Sequence, residues 1–202
     1  MSLSAELPAG FTDTVISAQS TFRSVMDAMA RPGSVQRIAA ATGTPRPMMH
    51  GTAALALTLF DHDTPLWLDA AMSATSDAAK WLKFHTSAPI VSDTSAADFA
   101  LIADPAALPS LDGFSFGTSE YPDRSTTLIL QVESLTDGPA FELRGPGIDG
   151  STILRAAIEP SDLFERLSIN ATLFPRGIDV VLVAGDMIAA IPRTTRLNGK
   201  GG

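Results

Sequence analysis

Residues 14–30 show the clearest pattern in the chain, because their apolar side chains recur at helical spacing. The side chains on this stripe are Val15, Phe22, Val25, Met26 and Met29. The spacing predicts a helix over Thr14–Ala30 that is capped by Thr12 or Asp13, and Pro32 and Gly33 end it. We interpret Phe22, Met26 and Met29 as core residues on the same grounds.

Helices and short strands alternate along the rest of the chain. Helical patterns occupy Ala53–Phe60, Ala78–His85 and Asp162–Thr172, with Thr52, Ser76 or Asp77, and Ser161 at their predicted starts. Short strands are predicted at Ser34–Ile38, Leu66–Asp69, Ile90–Val91, Phe99–Ala103, Thr127–Glu133, Ala140–Arg144 and Thr152–Ile158. The aliphatic run Asp179–Ala184 predicts a fully buried strand, which forms a hairpin with Met187–Ile191.

This order of elements indicates an α/β fold, because helices alternate with strands early in the chain and hairpins dominate late. We expect a single three-layer-like domain over residues 11–196, in which helices flank a mixed β-sheet. Residues 1–10 are predicted to form an N-terminal extension and residues 197–202 a flexible tail.

The composition indicates that the protein binds a partner chain. The chain has 202 residues, of which 45% are hydrophobic and only 18% are charged. Its mean hydropathy of +0.19 is high for a soluble protein. We therefore expect part of its apolar surface to be buried against another chain.

The charged residues and the missing cysteines exclude several classes of protein. The net charge is −8 and the sequence pI is about 4.7, which argues against a general binder of nucleic acid or of anionic membranes. The chain has no cysteine, so disulfides, thiolate metal sites and cysteine nucleophiles are excluded. No signal peptide or membrane-spanning run is recognised, and we expect a cytoplasmic protein.

Common catalytic patterns are missing from the sequence. There is no P-loop, no G-x-G-x-x-G and no G-x-S-x-G motif. The histidines lack the spacing of metal ligands. We interpret Asp61–Asp63, in which His62 lies between two aspartates, as a solvated turn rather than as a set of carboxylate and imidazole ligands for a metal ion. Lys80 and Lys83 are expected on the exposed face of a helix that buries Trp81 and Phe84, so neither suits a Schiff base. We predict no catalytic residue, no cofactor and no metal.

Arginine is the residue type that could bind a ligand. Eleven arginines stand against three lysines, and four arginines lie within two residues of a proline or glycine at the ends of predicted elements: Arg31, Arg124, Arg176 and Arg193. A stiffly held guanidinium suits a phosphate or a carboxylate of another protein. Alternatively, each arginine pairs with carbonyl groups at a helix end or with a local aspartate such as Asp123 or Asp179.

Five segments, in this order, resemble the H-subunit family of bacterial carbon–phosphorus lyase. They are Gln19–Gly33 (QSTFRSVMDAMARPG), Tyr121–Asp123 (YPD), Leu143–Ile148 (LRGPGI), Phe174–Asp179 (FPRGID) and Ile191–Thr195 (IPRTT). We interpret seven positions in these segments as structural motif residues: Pro32, Gly33, Pro122, Gly145, Pro146, Gly147 and Asp179.

The resemblance implies a role in organic phosphonate catabolism. In this family's pathway a core complex of G, H, I and J subunits couples an alkylphosphonate to the ribose of ATP with loss of adenine. The carbon–phosphorus bond is cleaved afterwards. The H subunit forms a homodimer and has no established activity of its own. Its fold resembles the large domain of PLP-dependent transferases, without the cofactor or its lysine.

Two functions therefore remain. In the first, the chain is a non-catalytic subunit whose homodimer docks onto the G, I and J subunits. In the second, it binds a nucleotide or another phosphorylated ligand through Arg31, Arg176 and Arg193.

Overall fold

The structure is a computed structural model that describes residues 7–73, 76–158 and 162–199. The helices are α1 (Thr14–Ala30), α2 (His50–Leu59), α3 (Ala70–Ser73), α4 (Ser76–Thr86) and α5 (Leu163–Ala171). The strands are β1 (Gln36–Arg37), β2 (Leu66–Leu68), β3 (Ile90–Val91), β4 (Phe99–Ile102), β5 (Thr127–Gln131), β6 (Ala140–Arg144), β7 (Thr152–Arg155), β8 (Asp179–Ala184), β9 (Met187–Ile191) and β10 (Arg196–Gly199). Within the described ranges no helix is long and apolar enough to cross a membrane.

A mixed sheet forms the middle layer of the molecule. Seven strands of the described chain pair in the order β1-β9-β8-β5-β4-β2-β3. The strands from β8 to β3 run parallel, whereas β9 is antiparallel to β8 and β1 is antiparallel to β9. A smaller antiparallel sheet has the order β10-β6-β7. The predicted α/β fold, a mixed sheet with helices on its faces, is confirmed.

Both faces of the central strands are covered, because successive side chains of a strand point to opposite faces. On β5, Ile129 packs into a core with α1, α2 and α4. Its neighbours Leu128 and Leu130 pack instead with α5 and the smaller sheet. The side chains of β8 alternate in the same way, with Val181 on the first side and Val180 on the second. This double burial explains the unbroken aliphatic run that the sequence shows in β8.

Several predicted elements have the bounds that the sequence indicated. Helix α1 spans Thr14–Ala30, and Asp13 caps it by accepting hydrogen bonds from the backbone N–H groups of Val15 (3.1 Å) and Ile16 (2.9 Å). Strands β3, β6, β8 and β9 also match their predicted bounds. The remaining predicted strands are shorter at one or both ends. Ser161 lies outside the described residues.

The predicted start of α2 is wrong. The helix begins at His50, not at Ala53, and Thr52 does not cap it. Thr52 is buried, and its hydroxyl donates a hydrogen bond of 2.8 Å to Oε1 of Gln131 on β5. In the sequence, a threonine just before an apolar run is typical of a helix N-cap. In the structure, the Thr52 hydroxyl instead binds the side-chain amide of Gln131, which is distant in the sequence.

The predicted flexible tail is wrong for its first residues. Residues Arg196–Gly199 form β10, which pairs with β6 so that Leu197 lies opposite Leu143. Leu197 is buried beneath α5, and this packing holds the strand in place. Residues 200–202 lie outside the described part of the chain.

Three aromatic or apolar side chains that we expected inside the core lie on the surface. Phe22 is 49% exposed and Met26 is 51% exposed on α1, and Phe84 is 70% exposed on α4. Helix α1 turns Val25 and the small side chains of Thr21 and Ala28 inward instead. The apolar arc of this helix is wider than the surface that covers it, so one side of the arc faces outward.

Candidate functional site

Three of the five family segments meet at the amino ends of β5 and β8. Tyr121–Asp123 shortly precedes β5, and Phe174–Ile178 leads into β8. Pro192–Thr195 follows β9. Because β5 and β8 are parallel with Thr127 opposite Asp179, and β9 is antiparallel to β8, the three segments lie at the same edge of the sheet.

Arg193 joins these segments through a partly buried network, which we call the Arg193 network (Arg193, Asp179, Pro122 and Ser125). Its Nε donates to Oδ1 of Asp179 at 3.1 Å, and its Nη2 donates to Oδ2 of the same carboxylate. The backbone N–H of Arg193 also donates to Asp179 Oδ1 at 2.7 Å. The Arg193 and Asp179 side chains are only 13% and 14% exposed. A planar guanidinium matches a carboxylate in this two-point arrangement, which a lysine would not reproduce.

The same guanidinium also holds the segment before β5. Nη1 of Arg193 donates to the carbonyl oxygen of Pro122, and Nη2 donates to Oγ of Ser125. Arg193 and Asp179 therefore form the local pair that the sequence left open as an alternative to ligand binding. The contacts of this arginine lie within the protein and tie the three segments together.

Asn170 on α5 positions the strand that carries Asp179. Its Nδ2 donates to the carbonyl oxygen of Ile178 at 2.9 Å, and its Oδ1 accepts from the backbone N–H of Ile178 at 2.8 Å. The side chain of Asn170 is buried. Sequence reasoning missed this residue, and the sole signal was a polar side chain in the last turn of an amphipathic helix.

The remaining two family segments pack against each other and against Thr194. The turn between β6 and β7 contains Gly145 and Gly147, both with positive φ (144° and 80°). A Cβ atom at Gly145 would lie 2.9 Å from the carbonyl oxygen of Thr194. A Cβ atom at Gly147 would lie only 2.0 Å from the carbonyl oxygen of Ala30, at the end of α1. Larger side chains do not fit at either position, which explains why this turn is built from glycine.

The three arginines that we predicted as ligand-binding residues do not converge. Arg31 pairs with Asp27 on the helix surface, at 2.6 Å between Nη2 and Oδ1, and lines a cavity of about 250 Å³ beside Asp149. Arg193 lines a different cavity of about 330 Å³. Arg176 is exposed, and its guanidinium makes no hydrogen bond or ion pair with any described residue.

The outer side of the network is an apolar groove with exposed aromatic side chains. We define the Phe174 groove as the cavity of about 330 Å³ above the Arg193–Asp179 pair, lined by Pro122, Asp123, Phe174, Pro175, Pro192 and Thr194. Phe174 is 63% exposed, and Tyr121 beside the groove is 49% exposed. Cζ of Arg124 lies 4.4 Å from the centre of the Tyr121 ring, a cation–π contact. The sequence marked these residues as motif positions but not as a surface.

The opposite edge of the sheet, where open α/β sheets commonly bind ligands, is occupied by internal contacts. The buried Asp69 after β2 accepts hydrogen bonds of 2.8 Å each from the backbone N–H groups of Met72, Ala103 and Asp104. Gln131 at the end of β5 accepts from the backbone N–H of Met49 at 2.6 Å. Over the ranges that the structure describes, no group of three or more histidine, aspartate or glutamate side chains could hold a metal ion.

Comparisons with known proteins identify the family of this chain. The family model of the bacterial phosphonate metabolism protein (PhnH) matches residues 9–198. The chain is 45% identical, over 93% of both chains, to the alpha-D-ribose 1-methylphosphonate 5-triphosphate synthase subunit PhnH of Rhizobium meliloti (strain 1021). It is 30% identical to the putative C-P lyase subunit protein HtxG of Stutzerimonas stutzeri, over 91% of this chain and 87% of that protein. The resemblance that the five segments carry is thereby confirmed, and the chain belongs to the bacterial phosphonate metabolism protein family PhnH.

Proposed function

We propose that this chain is a non-catalytic, homodimeric subunit of a carbon–phosphorus lyase core complex. The complex would couple an alkylphosphonate to the ribose of ATP with loss of adenine, before the carbon–phosphorus bond is cleaved. The observation that carries the proposal is the 45% identity, over 93% of both chains, to a protein named as a subunit of ribose 1-methylphosphonate 5-triphosphate synthase. The partners of this chain would be the G, I and J subunits, and the complex would be located in the cytoplasm.

The internal contacts of the family segments support a non-catalytic role. The charged groups of Arg193 and Asp179 bind each other, and the Pro122 carbonyl accepts from the same guanidinium. The glycine turn packs on the end of α1 and on Thr194. Residues that hold turns and strand ends together in this way explain a family signature without any reaction at the site.

The exposed side of α1 supports the homodimer. Val15, Phe22 and Met26 lie on one face of the helix and are exposed. An apolar stripe along a single helix can pair with its own copy about a two-fold axis, because both partners then present the same surface. We assign this stripe to the second copy of the chain.

The alternative function, binding of a nucleotide or phosphate, is favoured by one observation. The guanidinium of Arg176 is exposed and has no hydrogen-bond or ion-pair partner among the described residues. Against it, Arg31 and Arg193 line different cavities and have carboxylate partners within the chain. The subunit role therefore explains more of the structure.

The proposal is tested in the bacterium that encodes this chain. We expect that deletion of its gene abolishes growth on methylphosphonate as sole phosphorus source while growth on inorganic phosphate is unchanged. A tagged copy should restore growth and should recover the other core subunits in a pull-down. Normal growth of the deletion strain on methylphosphonate, or recovery of the tagged chain alone, would contradict the proposed function.

Calorimetric titration with ATP tests the alternative. A non-catalytic subunit should give no specific heat of binding. Tight binding that is lost on Arg176→Ala would favour the ligand-binding function instead.

A further inference from the structure

We propose that the Phe174 groove is the surface on which another, acidic subunit of the complex docks, inserting an apolar side chain between the prolines and placing carboxylates on Arg176 and Arg124. This inference rests on the proposed function and adds to it the surface and the chemistry of the partner. Three properties of the groove carry it: its apolar lining, its rigid frame and its charge.

The lining of the groove is apolar and aromatic. Prolines 122, 175 and 192 and the ring of Phe174 form its walls around a cavity of about 330 Å³. Tyr121, with Arg124 stacked on its ring, extends this surface on one side. Aromatic residues and arginine are the types that contribute most to binding at protein interfaces.

The frame of the groove is rigid, although Phe174 itself is exposed. The backbone N–H of Leu173 donates to the Asn170 carbonyl at 3.0 Å, and that of Arg176 donates to the Leu173 carbonyl at 3.1 Å. The N–H of Gly177 donates to the Phe116 carbonyl at 2.9 Å. Below the groove, the Arg193 network fixes the other wall. Because this backbone is already held in place, little backbone entropy is lost when the groove is covered.

A second cavity lies next to the groove and widens the surface. This cavity of about 340 Å³ is lined by Leu108, Leu111, Phe116, Ile169 and Leu173 together with the polar side chains of Ser110, Asp112, Arg166 and Asn170. Leu173 and Phe174 are consecutive, so their backbone separates the two cavities. The combined surface offers room for a segment of another chain rather than for a single side chain. Specific complexes bury about 800 Å² on each partner, so the partner would also contact surface around the two cavities.

The charge of the rim points to an acidic partner. The chain as a whole carries a net charge of −8. Asp123 and Asp179 line the groove, and Arg193 already binds the carboxylate of Asp179. Arg124 and Arg176, which each follow a lining residue in the sequence, are exposed. Neither guanidinium forms an ion pair with a described residue, although Arg124 stacks on Tyr121. Carboxylates of a partner would complement both arginines.

The same charge argues against a second copy of this chain in the groove. In a two-fold symmetric dimer each patch faces itself, and the arginines of both copies would then lie close together. Like charges brought together across an interface lower the affinity. The neutral stripe on α1 has no such conflict, so the two surfaces suit different partners.

The test uses the complete complex with a tag on another core subunit, and it measures how much of this chain is recovered in the pull-down. We expect Phe174→Ala and Arg176→Glu each to lower the affinity of this chain for the complex at least about tenfold. We also expect high salt to lower the affinity of the wild-type chain more than that of Arg176→Glu. Phe84→Ala and Arg46→Glu are the matched controls, because both residues are exposed elsewhere on the chain. Both controls should be recovered like the wild type. Circular dichroism melting should show that all four variants are folded.

Each other outcome decides against the groove or against the complex. Undiminished recovery of both groove variants, in a complex that retains the wild-type chain, overturns the docking surface and leaves the proposed function intact. Failure of the wild-type chain to be recovered overturns the proposed function and this inference together. If the groove variants sediment as monomers while the wild-type chain sediments as a dimer, the groove binds a second copy of this chain instead. Binding of ATP or inorganic phosphate that depends on Arg176, with unchanged recovery, would assign it to a small ligand.

Discussion

Arg193 shows how a residue that suits ligand binding in the sequence can instead stabilise the fold. Its flanking proline and its place at a strand end suggest a guanidinium held out for a ligand. In the structure it lies over Asp179 and reaches the segment before β5 through Pro122 and Ser125. The partner carboxylate lies 14 residues away in the sequence, opposite the end of a hairpin. The predicted hairpin sets the register that brings Asp179 close to Arg193, whereas the contacts of Arg193 with Pro122 and Ser125 depend on the pairing of β8 with β5.

Replacing Arg193 should destabilise the protein strongly. In Arg193→Ala the mostly buried Asp179 carboxylate loses its partner, so we expect the free energy of unfolding to fall by about 3–5 kcal/mol. Arg193→Lys should recover only part of this loss, because an ammonium cannot make the two-point contact. Urea denaturation at fixed protein concentration measures both values.

Arg31→Ala is the control for this prediction. Its ion pair with Asp27 is largely exposed, and its loss should cost at most about 1 kcal/mol. An equal cost for Arg31→Ala and Arg193→Ala would contradict a stabilising role for the Arg193 network.

At the scale of elements, the turn between β6 and β7 connects the smaller sheet to α1. Gly147 lies directly against the carbonyl at the end of α1, and the N–H of Gly33, just beyond that helix, donates to the carbonyl of Ala190 on β9 at 3.3 Å. Two family segments that are far apart in the sequence thus form one packing contact. The sequence predicted a turn and a helix end separately, and only their contact explains why both are built from glycine and proline.

Gly147 and Gly150 offer a matched pair of substitutions for this contact. Both residues have positive φ (80° and 69°), so alanine costs about 1–2 kcal/mol of backbone strain at either position. At Gly150 a Cβ atom meets nothing within 4 Å, whereas at Gly147 it would collide with Ala30. We therefore expect Gly147→Ala to lower the free energy of unfolding by about 1–3 kcal/mol more than Gly150→Ala does. Thermal and urea melts of the two variants give the difference, and equal losses would show that the turn can move away from α1.

At the scale of the whole molecule, the high apolar content has a structural explanation. The mean hydropathy of +0.19 led us to expect a partner. Among its exposed apolar side chains are two sets for which we propose partners, the stripe on α1 and the Phe174 groove. The proposed subunit, a homodimer that also docks into a complex, would need two such surfaces.

Disruption of the stripe on α1 should separate the proposed homodimer without unfolding the chain. We expect Phe22→Asp or Met26→Asp to shift the mass measured by sedimentation from dimer to monomer at micromolar concentration, because the new charge would be buried at the interface. Phe84→Asp, on the exposed face of α4, is the control and should leave the mass unchanged. A wild-type monomer, or dimeric forms of both α1 variants, would contradict the assignment of the stripe to a second copy.

The sequence by itself determined the local elements and the family. Helix α1, the buried strand β8 and its hairpin with β9 follow from periodicity and turn residues, because these are local properties of the backbone and side chains. The likeness to PLP-dependent transferases stays a prediction. Tertiary structure alone decided which side of α1 is covered, since periodicity shows an apolar arc but not the width of the surface that packs against it. It also decided that Arg193 points inward to Asp179, Pro122 and Ser125 while Arg176 is exposed, because the pairing of β8 with β5 decides which segments lie around each guanidinium.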